Sequence, residues 1–192
     1  MRVDVMVDIE TLGKSSHSTI FQISAIAFDM EDGGTYSEFN QIADIEQNKL
    51  PLHVDGSTLK WWLDTDADLL RKLLHKGNLS SYDILYNFKM WLLVLQEEYG
   101  KENVFLWGNG IIFDNKMIQH QLDSIGEEYP IYYRNDRDVR TLMELACKKT
   151  GMTEKQVKSQ VDTTGLTPHD AYDDVVRQIR QVRHYYKLIV QS

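Results

Sequence analysis

Asp8 and Glu10 are two carboxylates separated by one residue, at the end of a run in which Val3, Val5, Val7 and Ile9 alternate with Asp4, Met6, Asp8 and Glu10. That alternation predicts a strand with one apolar face. Side chains two apart on a strand point the same way, so the two acids aim together. Adjacent carboxylates repel unless a cation or a proton sits between them. A further acid, Asp114, follows Trp107-Gly108-Asn109-Gly110 and Phe113, where a strand gives way to a turn and a helix. The stretch Pro168-His169-Asp170-Ala171-Tyr172-Asp173-Asp174 supplies the rest. Pro168 keeps Thr167 extended, so His169 falls on the loop or first turn and Asp174 about one turn into a helix.

Alone, each feature has an ordinary explanation: a solvated strand end, a helix N-cap, or an acidic first turn favoured by the helix dipole. Asp170 and Asp173 fit the last of these. Together, Asp8, Glu10, Asp114, His169 and Asp174 lie on three separate elements that can converge at one end of a sheet. Carboxylate oxygens without a cysteine–histidine cluster suit Mg²⁺ or Mn²⁺ rather than zinc. Two such ions can clamp an in-line phosphoryl displacement, with a neutral histidine accepting the proton of the attacking water. The pattern Gly108-x-Gly110 is no dinucleotide fingerprint, since Phe113 stands where the third glycine belongs. No phosphate-loop lysine motif is present, and the other five histidines (His17, His53, His75, His120 and His184) show no metal-like spacing.

The elements that must position these groups follow from the patterning. Strands are expected up to Glu10 and over Ile20 to Phe28 and Thr35 to Ile42, the last two joined by a Glu31-Asp32-Gly33-Gly34 hairpin turn. Two short helices are predicted over Ser57 to Leu63 and Thr65 to His75. A long amphipathic helix follows from Ser81 to Tyr99, capped by Gly100. A strand at Asn103 to Trp107 precedes helices over Asn115 to Ile125 and Val139 to Lys149. Thr150 to Pro168 reads as polar and irregular, and helical spacing resumes from Asp170 to Val190. Strands first, then helices interleaved with strands, predict a mixed α/β arrangement.

Composition narrows the class. The chain has 192 residues and a net charge of −8, from 29 Asp and Glu against 21 Lys and Arg. That balance argues against backbone-wide coating of nucleic acid but allows an enzyme with acids at a metal site. Cys147 is the single cysteine, so no intramolecular disulfide can form. No apolar run is long enough to span a membrane, and the N-terminal run does not read as a signal peptide. The expected location is the cytoplasm.

Asp8-Ile9-Glu10-Thr11-Leu12-Gly13 resembles the first motif of the DEDD 3′→5′ exonucleases, Asp-x-Glu-x-x-Gly. Phe113-Asp114 resembles their second motif. His169 with Asp174 resembles the third motif of the histidine subclass, and a tyrosine-type motif is excluded because Val176 stands where Tyr172 would need an acid. Thr58-Leu59-Lys60-Trp61-Trp62 and Arg137-Asp138-Val139-Arg140-Thr141 are similar to the exodeoxyribonucleases of T-even-type phages, a resemblance that implies the cytoplasm of a host if a phage encodes the chain. Many relatives carry an asparagine four residues before the second-motif aspartate; here that position is Gly110, with Asn109 before it.

The resemblance implies a ribonuclease H-like α/β fold, a mixed central β-sheet flanked by α-helices, and one exonuclease domain over residues 1–192. It implies two Mg²⁺ ions, with Mn²⁺ able to substitute. Asp8, Glu10 and Asp174 would hold the first ion. Asp8 would bridge to the second, Asp114 would act largely through water, and His169 would be the general base. Nucleoside 5′-monophosphates would leave from the 3′ end of a single strand, DNA ahead of RNA. Thr11, Leu12, Gly13, Trp61, Trp62, Asn109, Phe113, Arg137 and Arg140 are the expected substrate contacts. Leu12 would wedge against terminal bases, one of the two tryptophans would stack a base, and the arginines would pair with phosphates. A homodimer stays open. The rivals are an exoribonuclease of the same superfamily, a phosphodiesterase for short oligonucleotides, and a non-catalytic nucleic-acid-binding module. The retention of all four acids and His169 speaks against the last.

Overall fold

The computed structural model describes residues 1–49 and 51–190. A five-stranded sheet runs in the order β3-β2-β1-β4-β5. β1 is Val3–Thr11, β2 Ile20–Phe28, β3 Thr35–Ile42, β4 Val104–Gly108 and β5 Asp136–Asp138. β1, β2 and β3 pair antiparallel, whereas β4 joins β1 in parallel and β5 joins β4 in parallel. The C-terminal ends of β1 and β4 therefore lie side by side, where ligand crevices form in open α/β sheets.

Helices cover both faces. The odd-numbered face of β1, with Val3, Val5, Val7 and Ile9, packs with Ile23 and Ala25 of β2 and Leu106 of β4. Phe88, Leu92 and Leu95 of α2 (Ser81–Tyr99) and Ile118 and Leu122 of α3 (Asp114–Ser124) close that core. The opposite face meets α4 (Val139–Thr150) and α6 (Ala171–Val190), which bring Ala146, Val175, Val182 and Tyr185 against Met6, Ile26, Phe28 and Trp107. A third cluster closes the site end of the sheet, with Leu12, Phe21 and Ile42 against Trp62, Leu69, Leu70 and Leu73 of α1 (Gly56–Leu74).

Three local readings are corrected. The two helices expected between Ser57 and His75 form one element, interrupted at Asp66 (φ −157°, ψ 80°). The Asp66 carboxylate accepts the Leu69 N–H at 2.8 Å, so the second half is capped as it restarts. β5 was not expected, because three charged residues carry no strand pattern; the pairing of Asp136 and Asp138 with Leu106 and Gly108 creates it. Within Thr150 to Pro168 there is a short helix, α5 (Glu154–Lys158), started by a reciprocal Thr153–Gln156 capping box. No helix among the described residues is long and apolar enough to cross a membrane.

Candidate active site

β1 divides its residues between two jobs. Its odd face is hydrocarbon, and its even face carries Asp4, Met6, Asp8 and Glu10 towards α6. The apolar stripe of α6 docks onto that face, and the same side of the helix carries Asp174 and Gln178, both buried. One carboxylate oxygen each from Asp8, Glu10 and Asp174 lies within 4.8 Å of the others. Gln178 Nε2 donates to Asp8 Oδ1 at 2.7 Å. Arg177 Nη1 lies 2.6 Å from Asp174 Oδ1. Asp114 is the first residue of α3, after the N-cap Phe113, whose side chain makes no capping bond. Asp114 is buried beside the acids of β1, and its charge raises the pKa of Asp8 and Glu10.

The electrostatics follow from this crowding. Asp8 keeps some exposed surface yet sits deep among protein atoms. Loss of hydration is the main cause of its strongly raised pKa, followed by repulsion from Asp114 and Asp174. Glu10 is pushed well up by burial and then by Asp8 and Asp174. Burial lifts Asp114 to about 7, against the pull of the Ile9 and Asp114 backbone N–H groups and of Arg140. Burial also raises Asp174, opposed by Arg177 and His169. The four carboxylates therefore need protons or a cation among them.

His169 reaches the cluster in a left-handed conformation (φ 66°), the one such non-glycine residue among the described residues. That conformation costs an L residue roughly 1–2 kcal/mol, which the surroundings must offset. Gln22 of β2 supplies part of the hold: its Nε2 donates to Asp170 Oδ1 at 3.2 Å and its Oε1 accepts the Ala171 N–H at 3.3 Å. The His169 ring stands edge-on to Trp61, with centroids 4.9 Å apart at 87°.

The expected substrate contacts divide. Trp61 is 42% exposed, while Trp62 is 1% exposed and donates its indole N–H to the Thr11 carbonyl at 3.2 Å. Trp62 is a core residue and offers no face to a base. Leu12 is 4% exposed and packs in the α1 cluster, so the wedge expected of it is not presented. Thr11 Oγ1 donates to the Gly13 carbonyl at 2.6 Å. A β-carbon on Gly13 would collide with Ser18 Oγ and come within 2.7 Å of Asp55 Oδ2, which makes this turn a structural closure. Asn109 is half-buried in the turn after β4, and Phe113 is partly exposed directly before Asp114. Arg140 lies over Gly110, where a β-carbon would approach its Cζ to 3.1 Å. With φ 112° as well, Gly110 could not be the asparagine of many relatives without rearrangement. Arg137 is elsewhere. Its guanidinium lies 4.6 Å over Phe105, and its Nη1 donates to the Arg134 and Asp136 carbonyls. Arg2 lies nearby over the same ring, at the Asp4 end of the sheet, so the phosphate contact expected of Arg137 is not supported.

Gln22, Arg177 and Gln178 escaped the sequence reading. Gln178 follows Asp174 by four and falls on the helix stripe of Val175 and Val182, and Gln22 interrupts an apolar strand. A polar residue on a buried face was the available signal.

Comparison with known proteins bears on the family and the fold. Residues 3–186 match the family described as the 3′-5′ exoribonuclease Rv2179c-like domain. The exodeoxyribonuclease of Enterobacteria phage T4 is 22% identical over 205 residues, covering 94% of this chain and 88% of the phage protein. The nuclease domain of 3′hExo, a DEDDh family member bound to rAMP, aligns with a TM-score of 0.65 at 13% identity, over 96% of this chain and 92% of that one. Cell-death related nuclease 4 aligns with a TM-score of 0.68 at 13% identity, over 94% of this chain and 62% of its own. E. coli exonuclease I in complex with a dA16 oligonucleotide gives 0.65 at 16% identity, over 98% of this chain and 42% of its own. The chain thus spans less than two thirds of the last two proteins. The shared fold is ribonuclease H-like, a mixed sheet flanked by helices.

Proposed function

The chain belongs to the family described as the 3′-5′ exoribonuclease Rv2179c-like domain, and we propose that it is a DEDDh 3′–5′ exonuclease that releases nucleoside 5′-monophosphates from the 3′ end of single-stranded nucleic acid in a metal-dependent reaction. The observation that carries this reading is the approach of Asp8, Glu10 and Asp174 to within 4.8 Å, with Asp114 and His169 alongside. The donor set fits hard divalent cations, because it offers carboxylate oxygens whose mutual repulsion calls for positive charge. Asp8, Glu10 and Asp174 would hold a first ion, and Asp8 would bridge to a second with Asp114 acting largely through water. Mg²⁺ suits these donors, and Mn²⁺ could replace it. When bound, such ions lower the pKa of water and neutralise charge at the scissile phosphate.

The remaining roles belong to the chain's own residues. His169 acts as the general base, its imidazole oriented by Trp61 and by the Gln22 anchor. Gln178 holds one oxygen of Asp8 and leaves the other free to turn to a ligand. Trp61 and Phe113 offer exposed aromatic surface to the terminal bases, and Arg140 a positive charge to a phosphate. Residues 1–192 act as one exonuclease domain in this reading.

DNA is placed ahead of RNA because the T4 exodeoxyribonuclease aligns over most of both chains. The description of the matched family favours RNA as the second reading. Matched 5′-labelled DNA and RNA strands, with Mg²⁺ or Mn²⁺ and with an Asp8→Ala control, separate the two. A ladder shortening from the 3′ end and absent in the control is expected, and the faster strand names the substrate. Absence of a ladder on both strands, with binding intact, would mean a binding module.

A further inference from the structure

Two buried aspartates on the α6 side of the sheet, Asp4 and Asp174, carry an arginine each, and the two pairs are built differently. Arg2 grips Asp4 as a fork: its Nε donates to Oδ1 at 3.2 Å and to Oδ2 at 3.0 Å, and its Nη2 to Oδ1 at 2.7 Å. The same guanidinium lies 4.2 Å over the Phe105 ring. Arg177 reaches Asp174 with Nη1 alone, 2.6 Å from Oδ1. That approach is close but misdirected, because Asp174 Oδ1 is buried without a well-directed hydrogen bond. No aromatic ring among the described residues lies under the Arg177 guanidinium. A pair of this kind has charge attraction but lacks the planar fit that makes a fork strong and specific.

Arg177 stands where its charge matters most. It follows Asp174 by three on α6, a spacing that places two side chains on one helix face. Asp174 is one of the three acids whose oxygens approach within 4.8 Å, and Arg177 also pulls the Asp8 pKa down against the crowding. The Arg177 side chain keeps 25% of its surface exposed. It can therefore turn outward through its own torsions, with no change in the helix. A divalent ion held by the same acids would be repelled by the guanidinium and would compete with it for Asp174.

We propose that Arg177 is the resident counter-ion of the carboxylate centre, which pairs with Asp174 in the metal-free chain, gives way when a divalent ion enters, and so sets the metal concentration at which the centre fills. The inference rests on the metal-dependent reading of that centre. The exchange has a direction: a guanidinium brings one charge to one carboxylate, whereas a divalent ion brings two charges and takes oxygens from several. Releasing the guanidinium weakens apparent metal affinity, and the same guanidinium steadies the acids until the ion arrives. Arg177 acts through Asp174 and is a positioning residue.

The test measures Mn²⁺ binding to the intact chain by loss of the free-ion electron paramagnetic resonance signal, in the parent, Arg177→Gln and Arg177→Lys, with folding checked by circular dichroism. Arg177→Gln should bind Mn²⁺ about tenfold more tightly, the size expected when one positive charge is removed from beside a divalent ion in a water-like dielectric. Its metal-free form should melt below the parent at alkaline pH. Arg177→Lys keeps the charge and should bind as the parent does. A merely structural pair predicts the opposite, since its loss would loosen the centre and weaken binding. In parallel, the Arg177 Nε–Hε resonance of the ¹⁵N-labelled parent, assigned by its absence from Arg177→Lys, should shift and exchange faster with water as Mg²⁺ is added. Affinity in Arg177→Gln equal to or weaker than the parent's, or a resonance indifferent to saturating Mg²⁺, would overturn the proposal and leave an ordinary intrahelical ion pair. If Arg177→Gln does not fold, the parent's resonance decides alone. A parent that binds neither ion would overturn the metal reading of the centre as well, so the two failures are distinguishable.

Discussion

Asp4 and Asp8 sit on the same face of the same strand, four residues apart, and meet opposite circumstances. Asp4 is buried with counter-charge: Arg2 Nη2 lies 2.7 Å from its Oδ1, and the Trp107 indole N–H donates to the same oxygen at 2.7 Å. Asp8 has one neutral side-chain donor, Gln178, and its other close neighbours include Glu10, Asp114 and Asp174. A buried acid that has its own cation and donors is part of the scaffold. A buried acid ringed by acids is unfinished until a cation arrives. Strand position and residue type are shared, so the difference lies entirely in what the rest of the chain brings to each end.

Substitutions at the two ends break the comparison in opposite directions. Asp8→Asn should reduce nuclease turnover to background while the fold persists, since Gln178 can still donate to the amide oxygen. The metal-free variant should melt higher than the parent at alkaline pH, because one repelling charge is gone. His169→Ala should lower the rate by roughly 10²–10⁴-fold, with the Mg²⁺-induced rise in Tm retained; an unchanged rate would remove it as the base. Asp4→Ala should do the converse, costing about 1–3 kcal/mol of stability by stranding the buried Trp107 N–H, with turnover per folded molecule unchanged. Denaturant unfolding beside a single-turnover assay reads both quantities.

The smallest effect is a pH slope. Carboxyl pKa values at the cluster are raised in the folded chain, to about 7 for Asp114, so the native state holds more protons than the unfolded one between the unfolded carboxylate range and that value. The associated stability is full below the unfolded pKa and is lost as pH rises through the folded pKa. In EDTA, Tm should therefore fall from about pH 5 to about pH 8, and saturating Mg²⁺ should flatten the fall. The same slope in Asp114→Asn as in the parent would show that this cluster is not its source.

Much of the fold was legible because burial leaves a period in the sequence. The alternation of Val3, Val5, Val7 and Ile9 predicted β1, and the stripe from Leu85 to Leu95 predicted α2 with the bounds observed. β5 and α5 carry no such stripe; one exists through pairing with β4 and the other through a capping box. Trp61 and Trp62 are adjacent and identical in type, and only the packing of α1 against Leu12, Phe21 and Ile42 decides that one is core and the other is exposed beside His169. Arg137 and Arg140 separate in the same way, one held at the Phe105 end of the sheet and the other over Gly110.

By itself, the sequence determined which groups could do chemistry: a pair of acids locked to one side of a strand, an acid at the start of a helix, and a histidine with an acid a turn further on. Local geometry is enough for that, since side-chain direction repeats every two residues on a strand and about every 3.6 on a helix. What only the tertiary structure decided was company. It set which acid is left without a counter-charge, which tryptophan is exposed, and that Gln178 and Gln22 brace the cluster. Those outcomes depend on contacts between residues up to 170 positions apart, as Gln178 and Asp8 are, and no local period encodes them.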